Sequence, residues 1–153
     1  MDRAEITRLL REDPVAQRLL NTSAPARLAY LASDGTPRAV PVVYQFDGDA
    51  FVLGTPAGAP KVDAIRTNPA VALTIDTEGH PPSAVLVRGT AAVTIVDGVV
   101  PEFLEANRRR IPAEDFEAFT EGVSNAWEHM ARIEVTPTWA KVLDETRPPD
   151  SHG

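Results

Sequence analysis

The 153-residue chain contains no cysteine. That excludes disulfide staples, thiolate nucleophiles and cysteine-ligated metal sites. Lysine is almost missing too: Lys61 and Lys141 stand against 13 arginines. The net charge of −7 provides no general basic face, so broad nucleic-acid binding is excluded while a local basic pocket is not. No apolar run is long enough to cross a bilayer. The opening MDRAEITRLLRED lacks the apolar core of a signal peptide. The expectation is a cytoplasmic protein that engages neither membrane nor nucleic acid. What remains is an ordinary globular balance, 43% hydrophobic and 24% charged, in a chain of the length of one domain with a real core.

Hydrophobic spacing divides the chain. Residues 3–20 read as helical, with Ile6, Leu9 and Leu10 on one face, and Asp13-Pro14 as the N-cap and first residue of a second short helix. From residue 27 the period falls to two. RLAYLAS (27–33) is a predicted strand and SDGTP (33–37) a turn. RAVPVVYQF (38–46) is a second strand that places Val40, Val42, Tyr44 and Phe46 on one face. Asp47-Gly48-Asp49 predicts a tight turn into AFVLGT (50–55). Pro41 cannot donate to a ladder, so it marks an edge, a bulge, or a place where something other than a strand lies alongside.

In the stretch GTPAGAPKVDAIRTNP (54–69), Pro60 suits a first helical position and Asn68-Pro69 a stop. Val62 and Ile65 supply the buried side. VALTID (71–76) is a strand, and AVLVRGTAAVTIV (84–96) is one long strand or two broken at Gly89. Helices follow over 101–110 and 114–130, the second carrying Phe116, Phe119, Val123, Trp127 and Met130 at helical spacing. ARIEVTPTWAKVL (131–143) alternates again, with Ile133, Val135, Pro137 and Trp139 on one side. Residues 144–153 form a polar tail. Mostly antiparallel strands, one very short helix and a late helical pair point to a small closed or split β-barrel. The rival, an open ferredoxin-like sheet, requires longer and more regularly placed helices.

Lys61 is the most suggestive chemical residue. It opens a helix whose unpaired N–H groups and positive dipole end favour an anion. The small residues before it allow close approach to the backbone, and Thr55 offers a hydroxyl at the end of the preceding strand. Together they describe a phosphate seat, though the spacing is not that of a P-loop; the simpler alternative is a surface lysine on a loop. His80, His129 and His152 are scattered without a second metal ligand at useful spacing. Asp76 and Glu78 near His80 read as a solvated turn, and Asp47 and Asp49 as turn formers. Arg108-Arg109-Arg110 suits a helix C-terminus. Trp127 reads as core, and Trp139 as core or as a flat wall for a ring. No acid, base, metal or nucleophile set emerges, and an enzyme without one borrows its reactivity from a cofactor.

The run ARLAYLASDGTPRAVPVVYQFDGDAFVLGTPAGAPKVDAIRTNPAVALTID resembles the flavin-binding split β-barrel, or pyridoxamine 5'-phosphate oxidase-like, superfamily. It is most similar to the actinobacterial flavin/deazaflavin oxidoreductase branch. The resemblance rests on DG-x-P-R-x-V-P-V, the D-G-D hairpin, a Thr closing the third strand, a Lys opening a short helix, and R-x-N-P-x-V-A-L. VLVRGTAAV and ARIEVTPTWAKVLD extend it to residues 5–145. It implies a mainly β fold, a six- to seven-stranded antiparallel split barrel with flanking helices, as a single domain over 1–153 with N-terminal helices in 1–22. It also implies a homodimer with FMN or F420 at the interface and a small organic substrate. Arg38, Val40, Pro41 and Val42 would pass the ring, and Thr55, Pro56 and Lys61 would hold the phosphate with Arg38 assisting. Arg88 or Trp139 would arrive from the partner. Many members carry Ser-Arg-Lys or Arg-Ala-Lys at the phosphate loop, where this chain reads Ala59-Pro60-Lys61. A lost charged hydrogen bond costs about 1.5–3 kcal/mol, roughly tenfold to hundredfold in affinity.

Overall fold

The computed structural model describes residues 1–147; the last part of the polar tail, 148–153, lies outside the described residues. Helix α1 (Arg3–Glu12) starts with a reciprocal cap: the Asp2 carboxylate accepts from the Glu5 N–H at 2.8 Å, and Glu5 accepts from the Asp2 N–H at 2.9 Å. Helix α2 (Pro14–Leu20) follows at once, its N-cap Asp13 accepting from the Val15 and Ala16 N–H groups as the Asp-Pro pair predicts.

Seven strands follow: β1 (Ala26–Leu31), β2 (Pro37–Val42), β3 (Tyr44–Phe46), β4 (Phe51–Pro56), β5 (Ala70–Asp76), β6 (Ser83–Asp97) and β7 (His129–Asp144). Helix α3 (Pro60–Thr67) joins β4 to β5, while α4 (Pro101–Arg108) and α5 (Ala113–Ala126) join β6 to β7. All pairings are antiparallel, in the order β2-β1-β5-β6-β7-β4-β3. The two edge strands are consecutive in the chain, separated only by Val43. One segment therefore crosses the gap, pairing first with β1 and then with β4. This makes the barrel split rather than closed. Pro41 sits on an edge strand, where a missing donor is tolerated. Arg109 braces the far side of the break, donating to the Tyr44 carbonyl at 2.7 Å. The triple arginine thus does more than end a helix: it ties α4 to β3.

The inner face follows the predicted alternation. Tyr44 is buried, and Val40, Val42 and Phe46 pack against the same core as Leu28, Leu53, Leu73 and Val87. Ile6, Leu10 and Leu19 of the N-terminal helices and Ile65 of α3 enter that core as well. Burying each such side chain contributes about 1.5–3 kcal/mol before entropy is counted. A second cluster lies under the α4–α5 pair, where Val100, Val123 and Met130 meet Phe103, Phe119 and Trp127.

Three expectations are corrected. The single strand foreseen over 38–46 is two, β2 and β3, broken at Val43 where the segment leaves β1 for β4. The late helix ends at Ala126, with Trp127 as its C-cap, and Met130 belongs to β7. The helical spacing ran on because Met130 packs into the same cluster as the helix residues. Trp139 is also not on the side of Ile133, Val135 and Pro137. Arg88 pairs with Trp139 while Gly89 pairs with Pro137, which leaves Thr138 as an extra residue in β7. This bulge reverses the alternation, so Ala140 turns inward and Trp139 outward. The Thr138 hydroxyl donates to the Arg88 carbonyl at 3.3 Å across it. Gly89 is required there: a Cβ would stand 2.6 Å from the Thr136 carbonyl oxygen. Strand β6 runs unbroken through Gly89, the first of the two alternatives for 84–96; the irregularity opposite Gly89 is the extra residue of β7.

Candidate functional site

The antiparallel order brings particular termini together. Strands β1, β4 and β6 finish at the end of the barrel where β2, β5 and β7 begin. Helix α3 stands at this end, directly after β4. Thr55 lies on the inner side of β4, paired with Ala131, and is 7% exposed. Its hydroxyl makes no hydrogen bond to any described residue. Pro56 ends the strand, and the Ala57 N–H donates to the His129 carbonyl at 3.3 Å.

Helix α3 starts without help. Its N-cap is Ala59, which offers no side-chain acceptor, and Pro60 occupies the first helical position. Lys61 follows, half-buried, and among the described residues no carboxylate pairs with it. Burial alone pushes its ammonium below the usual lysine value. A cation drawn partly out of water without a counter-charge, beside an uncapped helix start and an unbonded hydroxyl, has the chemistry of an anion seat. Asp63 in the first turn already occupies part of the dipole's field, so the seat rests on Lys61 as much as on the helix.

The other predicted residues divide. Arg38 begins β2 at this same end but is engaged within its own turn, pairing with Asp34 at 3.1 Å and with the Thr36 hydroxyl. The hydrogen bonds from Thr36 hold the exposed Asp34 carboxyl down to about 2, with Arg38 adding to the effect. Val40 and Val42 face the core, and Pro41 is exposed, opposite Arg27 on β1. Arg88 and Trp139 are brought together on the outer surface, the guanidinium carbon 4.0 Å from the ring centroid. Ladder pairing continues that row through Ala72, Ala29 and Ala39 on β5, β1 and β2. The outer face there carries a row of alanines.

Sequence reasoning missed one pair. His129 and Asp97 face each other across the β6–β7 ladder, Nδ1 to Oδ1 at 3.0 Å. They occupy the inner-side register of the two strands, one row beyond Ile95 and Ala131, where both side chains are exposed. Thirty-two positions separate them in the chain, so no local spacing could have shown the pairing. No group of three histidine or acidic side chains among the described residues could hold a metal ion. Among them, too, no helix is long and apolar enough to cross a membrane.

A family model described as pyridoxamine 5'-phosphate oxidase matches residues 2–141. The chain belongs to this family. Solved structures agree with the assignment. A protein named F420 reductase is 26% identical, with 82% of this chain and 94% of that one covered at a TM-score of 0.64. A conserved hypothetical protein from Mycobacterium tuberculosis is 21% identical over 100% of this chain and 92% of its own, at a TM-score of 0.63. The heme storage protein of Vibrio cholerae shares the fold at 13% identity and a TM-score of 0.61, with 87% and 94% covered. No curated protein matches. Family membership fixes the split-barrel architecture, and the same architecture serves proteins with different named roles.

Proposed function

We propose that this chain binds FMN or coenzyme F420 and acts as an oxidoreductase that moves a hydride between the reduced ring and a small organic acceptor. One observation carries the reading: Lys61 is half-buried, lacks a described counter-charge and opens an uncapped helix beside the free Thr55 hydroxyl. Those residues fit a phosphate. The ring, when bound, supplies the redox chemistry. The chain's own contribution is to hold the phosphate through Lys61 and Thr55, to fix the ring's position, and to keep water from it. Similarity to F420 reductase favours the deazaflavin over FMN.

The reading includes a homodimer with the cofactor at the interface. The row of small side chains on the outer face, Ala39 and Ala29 exposed and Ala72 half-buried, allows close approach of a second copy. Arg88 and Trp139 at its margin would then reach the partner's site.

Titration with FMN and with F420, each followed by ring fluorescence, tests the binding. Micromolar affinity for at least one is expected; for neither, the reading fails. A second reading, a protein that holds the cofactor without turnover, is favoured by Ala59-Pro60 standing where many relatives carry an additional cationic donor. Turnover of quinones, enones or nitro compounds above background by the reduced complex would exclude it.

A further inference from the structure

The seat described above has one cation, and a phosphate carries up to two negative charges. Arg38 does not supply the second, because Asp34 and Thr36 already occupy it. Another group at the same end of the barrel is in a position to do so. We propose that His129, oriented by Asp97, is the second phosphate-binding side chain of the seat and takes the place of the donor absent at Ala59-Pro60. This rests on the anion seat proposed for Lys61.

The argument is one of placement. His129 begins β7, and its carbonyl accepts from Ala57 in the loop that leads to Lys61. Its side chain shares the register face of Ala131 and Thr55 rather than that of Met130, which packs under α4 and α5. Asp97 holds Nδ1, so Nε2 is the nitrogen left to meet a ligand.

To donate to a phosphate through Nε2 while Nδ1 remains on Asp97, the imidazole must carry both protons. A bound phosphate dianion favours that imidazolium. The charged groups of the neighbouring elements are Asp97 on β6, the adjoining Glu128, and Lys61 and Asp63 in the first turn of α3. In the filled seat His129 is thus the second positive charge beside Lys61.

The probe is inorganic phosphate, titrated into the full-length protein and followed by the imidazole carbon-bound proton signals. The expected result at neutral pH is a saturable shift of the His129 signal toward the imidazolium position. His80, on the β5–β6 loop at the opposite end of the barrel, stays still. Lys61→Ala abolishes the shift, and His129→Ala weakens phosphate binding by about tenfold. A silent His129 while phosphate still binds in a Lys61-dependent manner overturns the inference and leaves the proposed function standing. A His129 shift that survives Lys61→Ala also overturns it, since the ion then sits elsewhere. Absence of any Lys61-dependent phosphate or cofactor binding removes both.

Discussion

Arg88 lies flat against Trp139, its guanidinium carbon 4.0 Å from the ring centroid, and the two are direct partners across the β6–β7 ladder. The stack exists because the Thr138 bulge turns Trp139 outward. At an exposed site such a pair is worth about 0.5–1 kcal/mol. Arg88→Ala should therefore lower stability by no more than about that amount, read from urea unfolding. Sedimentation separates this modest role from an interfacial one: the wild type is expected as a dimer at micromolar concentration, and Trp139→Ala as a mixture with monomers. A monomeric wild type contradicts the proposed homodimer.

Glycine substitutions should separate sharply by place. At Gly89 a Cβ meets the Thr136 carbonyl oxygen at 2.6 Å and Val135 Cγ1 at 2.8 Å. Backbone cannot move aside cheaply at a bulge, so Gly89→Ala should destabilise by about 1–3 kcal/mol or more. Gly122 sits in α5 with nothing within 4 Å of its added Cβ. Gly122→Ala should stabilise by about 0.5–1 kcal/mol, because alanine loses less entropy in a helix. Thermal unfolding of both variants checks the contrast.

Acid should loosen the junction between α2 and the end of β7. Partial burial raises the Asp13 pKa, but the Arg147 hydrogen bond and those from Ala16 and Val15 outweigh it, and the net shift is downward. Arg147 reaches Asp13 at 2.7 Å. A depressed carboxyl contributes stability that is present above its unfolded pKa and lost as pH falls through its folded one. Asp13→Asn should flatten the acid limb of the stability curve below about pH 4. At neutral pH its cost should be on the order of 1 kcal/mol, the scale of a weakened helix cap.

The Tyr44 hydroxyl is buried in the barrel without a partner. Burial pushes its pKa up to about 12, against the opposing pull of Arg109. Since the neutral phenol is the form the fold accepts, this contribution is intact below the unfolded value and lost as pH rises through the folded one. Tyr44→Phe removes an unsatisfied group with little change in shape, so it should leave stability unchanged or raised. A drop above about 1 kcal/mol on urea unfolding would mean that the hydroxyl has a partner.

Much of the architecture was legible because the barrel alternates cleanly. Val40, Val42, Tyr44 and Phe46 turn to one side as their period of two requires, and Pro41 falls on an edge. Pro60 and Asn68 bound α3 where their backbone chemistry places them. The misreadings share a cause. A pattern of spacing cannot show a residue inserted opposite a partner strand, so Trp139 faces away from the side its spacing predicts. Nor does it separate a helix from a following strand when both feed one cluster, as Met130 of β7 and the residues of α5 do. The candidate site was legible at Lys61 and Thr55, which neighbour each other along the chain. His129 and Asp97 were not, because only the ladder makes them neighbours.

The central claim is that Lys61 grips a cofactor phosphate. Its most direct test is the dissociation constant of FMN and of F420 for the wild type and for Lys61→Ala, measured side by side with the unfolding temperature. The account predicts at least about a tenfold loss of affinity for the bound cofactor, with the unfolding temperature essentially unchanged because a half-exposed lysine seldom supports a fold. Equal affinity in the two proteins would contradict it.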